Sequence, residues 1–360
     1  MKNFSTYPAL IKLLDENQNF ALSGRGTTNH CPMALSALAA MGASEKRLQD
    51  FFEHWRDHYS YPMPASAQCI DYQNFQDHLG RPADFGDLQT CFRQKIEQAG
   101  SDQVVREVLA LIPLAPATNA FHAWIRLAYG LQFSHAGEIA AGLAALVVAN
   151  FKINLKTHDR SPATSVAEGF QQLSMAMSGK KFAGQMITEK MRAVIADTQF
   201  VQALPAVPEN ADILSELAVW AIAAYWQTGD FTVLHMVTGT NAARLILPYL
   251  NSQQAAIVVQ DFWIALCVAY ASVGAPPVSL AYKYLKNLND AGFQPKPWNE
   301  LFDLAIRSND DHVIKFTYTC SQEHALSANL LYPAAAMQKL KLPVKTSDES
   351  FKEKFHEKSV

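Results

Sequence analysis

Apolar residues return every three to four positions along most of this chain, and strict alternation of apolar and polar residues is scarce. That spacing is the mark of helices with a buried face. The clearest stretches are Val104 to Ile112, Gly137 to Phe151, Ile213 to Trp226 and Ala255 to Val273. Each is longer than a usual strand, so the pattern predicts an all-α fold. Proline-bearing segments punctuate the helices near Tyr61, Pro205, Pro276 and Pro295. The stretch 204–210 is a candidate sub-boundary. Because apolar helices stand on both sides of it, the expectation is one large irregular multi-helix domain over residues 1–342, with a central cavity. Residues 343–360 lose the apolar pattern and gain charge of both signs, as a solvated tail does. No fixed-period repeat is visible, which argues against a regular solenoid.

The two longest apolar runs, Ile139 to Phe151 and Phe262 to Pro277, fall short of the roughly 20 residues that cross a bilayer. They are expected to be buried helices, with no membrane span. Lys12, Asp15 and Glu16 interrupt the amino-terminal apolar residues, which reads as mature protein rather than a secretory leader. Composition supports an extensive core: 49% of the 360 residues are hydrophobic and 18% charged. Thirty basic against 33 acidic side chains give a net charge of -3, so nothing in the charge calls for a nucleic acid partner. Five cysteines without paired spacing suit a reducing compartment, and a cytoplasmic location is expected. The sequence leaves the oligomeric state open.

Candidate chemistry lies with the histidines. His54 and His58 stand at i,i+4, a spacing that can clamp a metal, but their segment reads as an exposed amphipathic helix. His78, His158 and His356 fall in polar sequence; the His158–Asp159 doublet prompts only a weak phosphohydrolase idea. His30, His122, His235 and His312 each adjoin an apolar helical stretch, where an imidazole needs a hydrogen-bond partner or a metal. A core or capping role is open to each. Histidines on facing helices can also build a metal site, and imidazole suits iron, copper or zinc.

An all-imidazole shell leaves an ion's charge uncompensated. Lys315, one helical turn after His312, offers an answer: a desolvated amine is more often neutral and can add carbon dioxide to become a carbamate, a carboxylate on a long arm. The ordinary alternative is an ammonium that reaches water along its stem. Arg126 and Tyr129, four and seven residues past His122, share its helical face and could orient a phenolate, ketone or carboxylate. Their structural alternatives are an ion pair and a packed tyrosine, and Arg244 is open to the same two readings. The glycines at Gly24 and Gly26 lack the third glycine and the preceding strand of a dinucleotide site, so NADPH and flavin are not expected.

Taken in order, the segments NHCPMAL, FHAWIRLAYG, LHMVTG with NAAR, and DHVIKF resemble the questin oxidase-like family from about Asn29 to Phe316. The resemblance implies a non-haem iron oxygenase acting with O2 on an aromatic, quinone or polyketide-like small molecule. It implies His30, His122, His235 and His312 as metal ligands, with Lys315 as a carbamylated fifth. Arg126 and Tyr129 would then orient the substrate, and Phe121, Trp124 and Met236 would line an apolar wall. One departure is Asn241, where the family commonly has histidine. The other class of function open to such a chain is a non-catalytic helical scaffold that binds an apolar ligand or a protein.

Overall fold

A computed structural model describes residues 8–157, 160–209 and 212–347. The His158–Asp159 doublet, His356 and most of the charged tail lie outside the described residues. The helices run α1 (Pro8–Asn17), α2 (Cys31–Ala40), α3 (Glu45–Tyr59), α4 (Phe85–Ala99), α5 (Ser101–Leu111), α6 (His122–Gln132), α7 (Ala136–Val148), α8 (Val166–Met177), α9 (Ile187–Ile195), α10 (Thr198–Ala203), α11 (Ile213–Thr228), α12 (Phe231–Ile246), α13 (Ser252–Ser272), α14 (Ala281–Asp290), α15 (Trp298–Arg307), α16 (Asp311–Ser327) and α17 (Leu331–Lys339). Among the described residues, extended pairing is confined to isolated bridges: Phe20 with Pro62, Ser23 with Thr28, and Pro162 with Ala206. The fold is all-α.

Helix α7 is apolar on every side, and residues Gly137 to Val148 are all buried, as in a helix at the centre of a core. It packs on α6, α4 and α5. The contact with α6 brings backbone against backbone: a Cβ on Gly142 would stand 2.6 Å from the Leu127 main chain, and one on Gly130 would stand 2.6 Å from the Ile139 amide. Only glycine permits that approach. Fully buried Leu143, Leu146 and Val147 each stabilise the fold by about 2 kcal/mol relative to an exposed position.

The apolar run that begins at Phe262 in the sequence belongs to a longer helix, because α13 starts ten residues earlier, at Ser252. An Asn251–Gln254 capping box holds that start. At 21 residues, α13 is long and apolar enough to cross a membrane by length and composition, which corrects the expectation of a shorter segment; 67% of its apolar window is buried within the fold.

Four helices form a closed ring. Helix α2 packs on α6, α6 on α12, α12 on α16, and α16 back on α2. The amino-terminal ends of all four meet at one place.

Candidate functional site

Each helix of that ring delivers one histidine at its start. His30 is the residue before α2, His122 is the first residue of α6, His235 is in the second turn of α12, and His312 is the second residue of α16. The rings meet. Centroids are 4.2 Å apart for His30 and His122, 4.6 Å for His122 and His235, 4.9 Å for His30 and His312, and 5.3 Å for His235 and His312. One donor atom from each of His30, His122 and His312 lies within 4.8 Å of the others. Residues from opposite ends of the chain thus share one small volume.

The local chain fixes two tautomers. His235 Nδ1 is 2.7 Å from the Phe231 carbonyl, and His122 Nδ1 is 2.5 Å from the Asn119 carbonyl. A carbonyl only accepts, so both Nδ1 atoms donate. Neutral imidazole has a single N–H, which leaves Nε2 of each ring as an acceptor. Yet the two Nε2 atoms stand 3.0 Å apart. Two lone pairs at that distance repel unless something positive lies between them. Protonation is opposed: burial first, and then the neighbouring histidines and Lys315, hold both imidazoles well below the ordinary histidine range. A separation of about 3.0 Å is what two nitrogens make when each is about 2.1 Å from a shared ion and at a right angle.

Asn119 reaches its position through an unusual turn. Asn119, Ala120 and Phe121 are all left-handed, with φ of 52°, 54° and 70°. For residues with a side chain each such conformation costs about 1–2 kcal/mol, and such conformations gather where geometry matters. The Phe121 ring anchors the turn against Gly239 of α12, where a Cβ would lie 3.2 Å from it, and edge-on to Phe262.

Asp311, which spacing in the sequence does not single out, organises the other half of the cluster. Its Oδ1 is 2.9 Å from His312 Nδ1, 3.1 Å from His30 Nδ1 and 3.1 Å from Lys315 Nζ. Burial alone would raise this carboxyl, but Lys315, His30 and His312 hold it well below the usual carboxylate range. The signal that could have found it is its place four residues before Lys315 on one helix face. With His312 Nδ1 turned to Asp311, the His312 Nε2 atom is buried without a hydrogen-bond partner, a state that costs about 1–3 kcal/mol unless something fills it. His30 differs: its Nε2 lies 2.9 Å from Thr28 Oγ1 and its Nδ1 faces Asp311, so it reaches an ion only by exchanging one of those bonds. Burial, the largest influence, and Lys315 bring its pKa down to about 4. Lys315 itself is buried, 4% exposed, with its amine on Asp311.

Other sequence candidates fall elsewhere. Arg126 makes a two-pronged ion pair with Glu138 of α7, Nε to Oε2 at 2.6 Å and Nη2 to Oε1 at 3.0 Å, which joins α6 to α7. Tyr129 is buried near Phe133 and Tyr318, and burial raises its phenol pKa. Among the described residues, no hydrogen bond or ion pair links Arg126 or Tyr129 to the four histidines. Phe121, Trp124 and Met236 are fully buried core. Asn241 donates to Glu323 at 2.9 Å, and Arg244 pairs with the same carboxylate. His58 Nδ1 donates to the His54 carbonyl on the outward side of α3.

The donor set therefore fits a divalent transition-metal ion: buried imidazole nitrogens freed by tautomer, an orphaned acceptor, and a carboxylate for charge and orientation. An all-helical chain with histidines from four helix starts gathered in its interior defines the class. Within it, this chain belongs to the questin oxidase-like family, whose model matches residues 27–320. Over 146 residues it is 30% identical to Baeyer-Villiger oxidase AgnL3 of Paecilomyces divaricatus, a match covering 37% of this chain and 32% of that protein. The match thus spans about a third of the relative's length.

Proposed function

We propose that this chain is a metal-dependent oxygenase that uses O2 on an aromatic, quinone or polyketide-like small molecule bearing a carbonyl. The supporting observation is the pair of acceptor nitrogens, His122 Nε2 and His235 Nε2, held 3.0 Å apart by carbonyl-anchored tautomers. Family membership and a relative named for Baeyer–Villiger oxidation point to the same class of reaction. His30, His122, His235 and His312 would hold the ion, non-haem iron in this reading, and Lys315 as a carbamate would add the anionic ligand. Bound there, iron supplies activation of dioxygen toward an electron-rich substrate.

The chain's own residues do the rest. The Asn119 and Phe231 carbonyls keep the proton on Nδ1 of His122 and His235, so Nε2 stays free. Asp311 orients the imidazoles of His30 and His312 from behind, the usual duty of a carboxylate next to a ligating histidine. Burial of the cluster excludes water, which strengthens every charge interaction within it. Arg126 braces α6 behind His122 through Glu138.

Metal analysis of untagged protein tests the reading. Near-stoichiometric iron is expected, with at least a tenfold loss in His122→Ala or His235→Ala while the helical signal persists. No metal after anaerobic loading with ferrous iron would leave a helical scaffold instead.

A further inference from the structure

Phe231 differs from the other exposed apolar side chains. It is 49% exposed, and a lone exposed apolar residue needs no explanation. Its ring, however, lies 4.7 Å from the imidazole of His235 and 4.6 Å from that of His312, centroid to centroid. It covers the seam between two cluster histidines on one side and meets solvent on the other. His235 is otherwise buried, and so is the orphaned His312 Nε2.

The main chain under this ring is held in place. The Phe231 carbonyl accepts from His235 Nδ1 at 2.7 Å. Asp230, just before it, caps α12 by accepting from the amides of Thr232 and Val233. Gly229 makes the left-handed turn that closes α11. With the backbone tied at three successive residues, the freedom left is rotation of the side chain. An aromatic residue on a helix has two χ1 wells open to it, and exposed side chains exchange between wells in picoseconds to nanoseconds.

We infer that Phe231 is the size-selecting residue of the histidine cluster, the side chain that sets how large a molecule reaches the donor nitrogens from solvent. A planar aromatic molecule is the kind of substrate it would admit edge-on as the ring turns aside. The inference takes its catalytic meaning from the oxygenase reading, but the access it describes can be measured with or without an ion.

Acylation of histidines by diethyl pyrocarbonate, followed by peptide mass spectrometry on metal-free protein near neutral pH, measures that access. Exposed His58 serves as an internal standard in every sample. In Phe231→Ala, His235 and His312 should be acylated at least tenfold faster than in the parent chain, and in Phe231→Trp at least threefold slower, with His58 unchanged. In iron-loaded protein, removal of the ion by phenanthroline should accelerate at least tenfold in Phe231→Ala. Acylation of His235 and His312 within twofold of the parent in Phe231→Ala overturns the inference; if that variant melts at a lower temperature, Phe231→Leu decides by the same criterion. Should no variant hold metal, the oxygenase reading fails and the acylation rates alone judge Phe231.

Discussion

Replacing Arg126 separates a substrate contact from a structural brace. Arg126 and Glu138 are each 3% exposed and joined by two short bonds, at 2.6 Å and 3.0 Å. Arg126→Leu leaves a carboxylate buried between α6 and α7 with, among the described residues, the Gln18 amide as its remaining side-chain partner. Breaking a buried pair from one side costs about 3–5 kcal/mol, a large part of the roughly 5–15 kcal/mol that holds a domain together. Removing Glu138 as well changes the outcome. Two apolar side chains of similar volume in place of a buried pair are often neutral or better, so Arg126→Leu/Glu138→Leu should recover at least half of the loss. Some cost remains, since Glu138 sits in the first turn of α7, where a carboxylate is worth about 0.3–1 kcal/mol. Urea denaturation followed by circular dichroism, on the parent, both single variants and the double variant, gives the coupling energy directly. A coupling above about 2 kcal/mol is expected, with iron content in the double variant equal to the parent's. A single variant within about 1 kcal/mol of the parent, or a double variant as unstable as the sum of the singles, would refute the brace. A stable double variant that binds iron but has lost turnover would return Arg126 to the substrate.

Lys315→Ala should lower iron binding, and a short carboxylate such as acetate should restore part of it by replacing the carbamate; the same iron content with or without acetate and bicarbonate would leave Lys315 as the ammonium partner of Asp311. The metal-free protein should lose stability as pH falls. His30 has its folded pKa lowered from 6.5 to about 4, so its contribution is complete above 6.5 and disappears on the way down to 4, a difference of about 3 kcal/mol. Burial shifts His122 and His235 in the same direction, so both add to the loss of stability as pH falls below the ordinary histidine range. Urea titrations in chelator at several pH values measure it, and a stability that does not fall between pH 6.5 and 4 would mean that the imidazoles are not held neutral.

Much of this architecture can be read from residue spacing. Three- to four-residue periodicity identifies the helices because each buries one face or, for α7 and α13, nearly all of them. The four histidines stand out since imidazole beside apolar helix starts is unusual. What the spacing hides is partnership across distance. Arg126 and Tyr129 do share a face of α6 with His122, yet the guanidinium is captured by Glu138 across a turn, a pairing that no helical period describes. Asp311 stands one helical turn before Lys315, but its contact with His30, which lies 281 positions away, is not visible in any local spacing. The left-handed run at Asn119 to Phe121 carries no glycine to announce it; tertiary packing of Phe121 against Gly239 imposes it. Phe231 reads as an ordinary helix start until its neighbours are known.

Anomalous diffraction at the iron absorption edge, from crystals of iron-loaded protein, tests the central claim most directly. One peak is expected about 2.1 Å from both His122 Nε2 and His235 Nε2, with His312 Nε2 turned to it. Iron located elsewhere, or an empty space between those two nitrogens in crystals shown to contain iron, would contradict the claim.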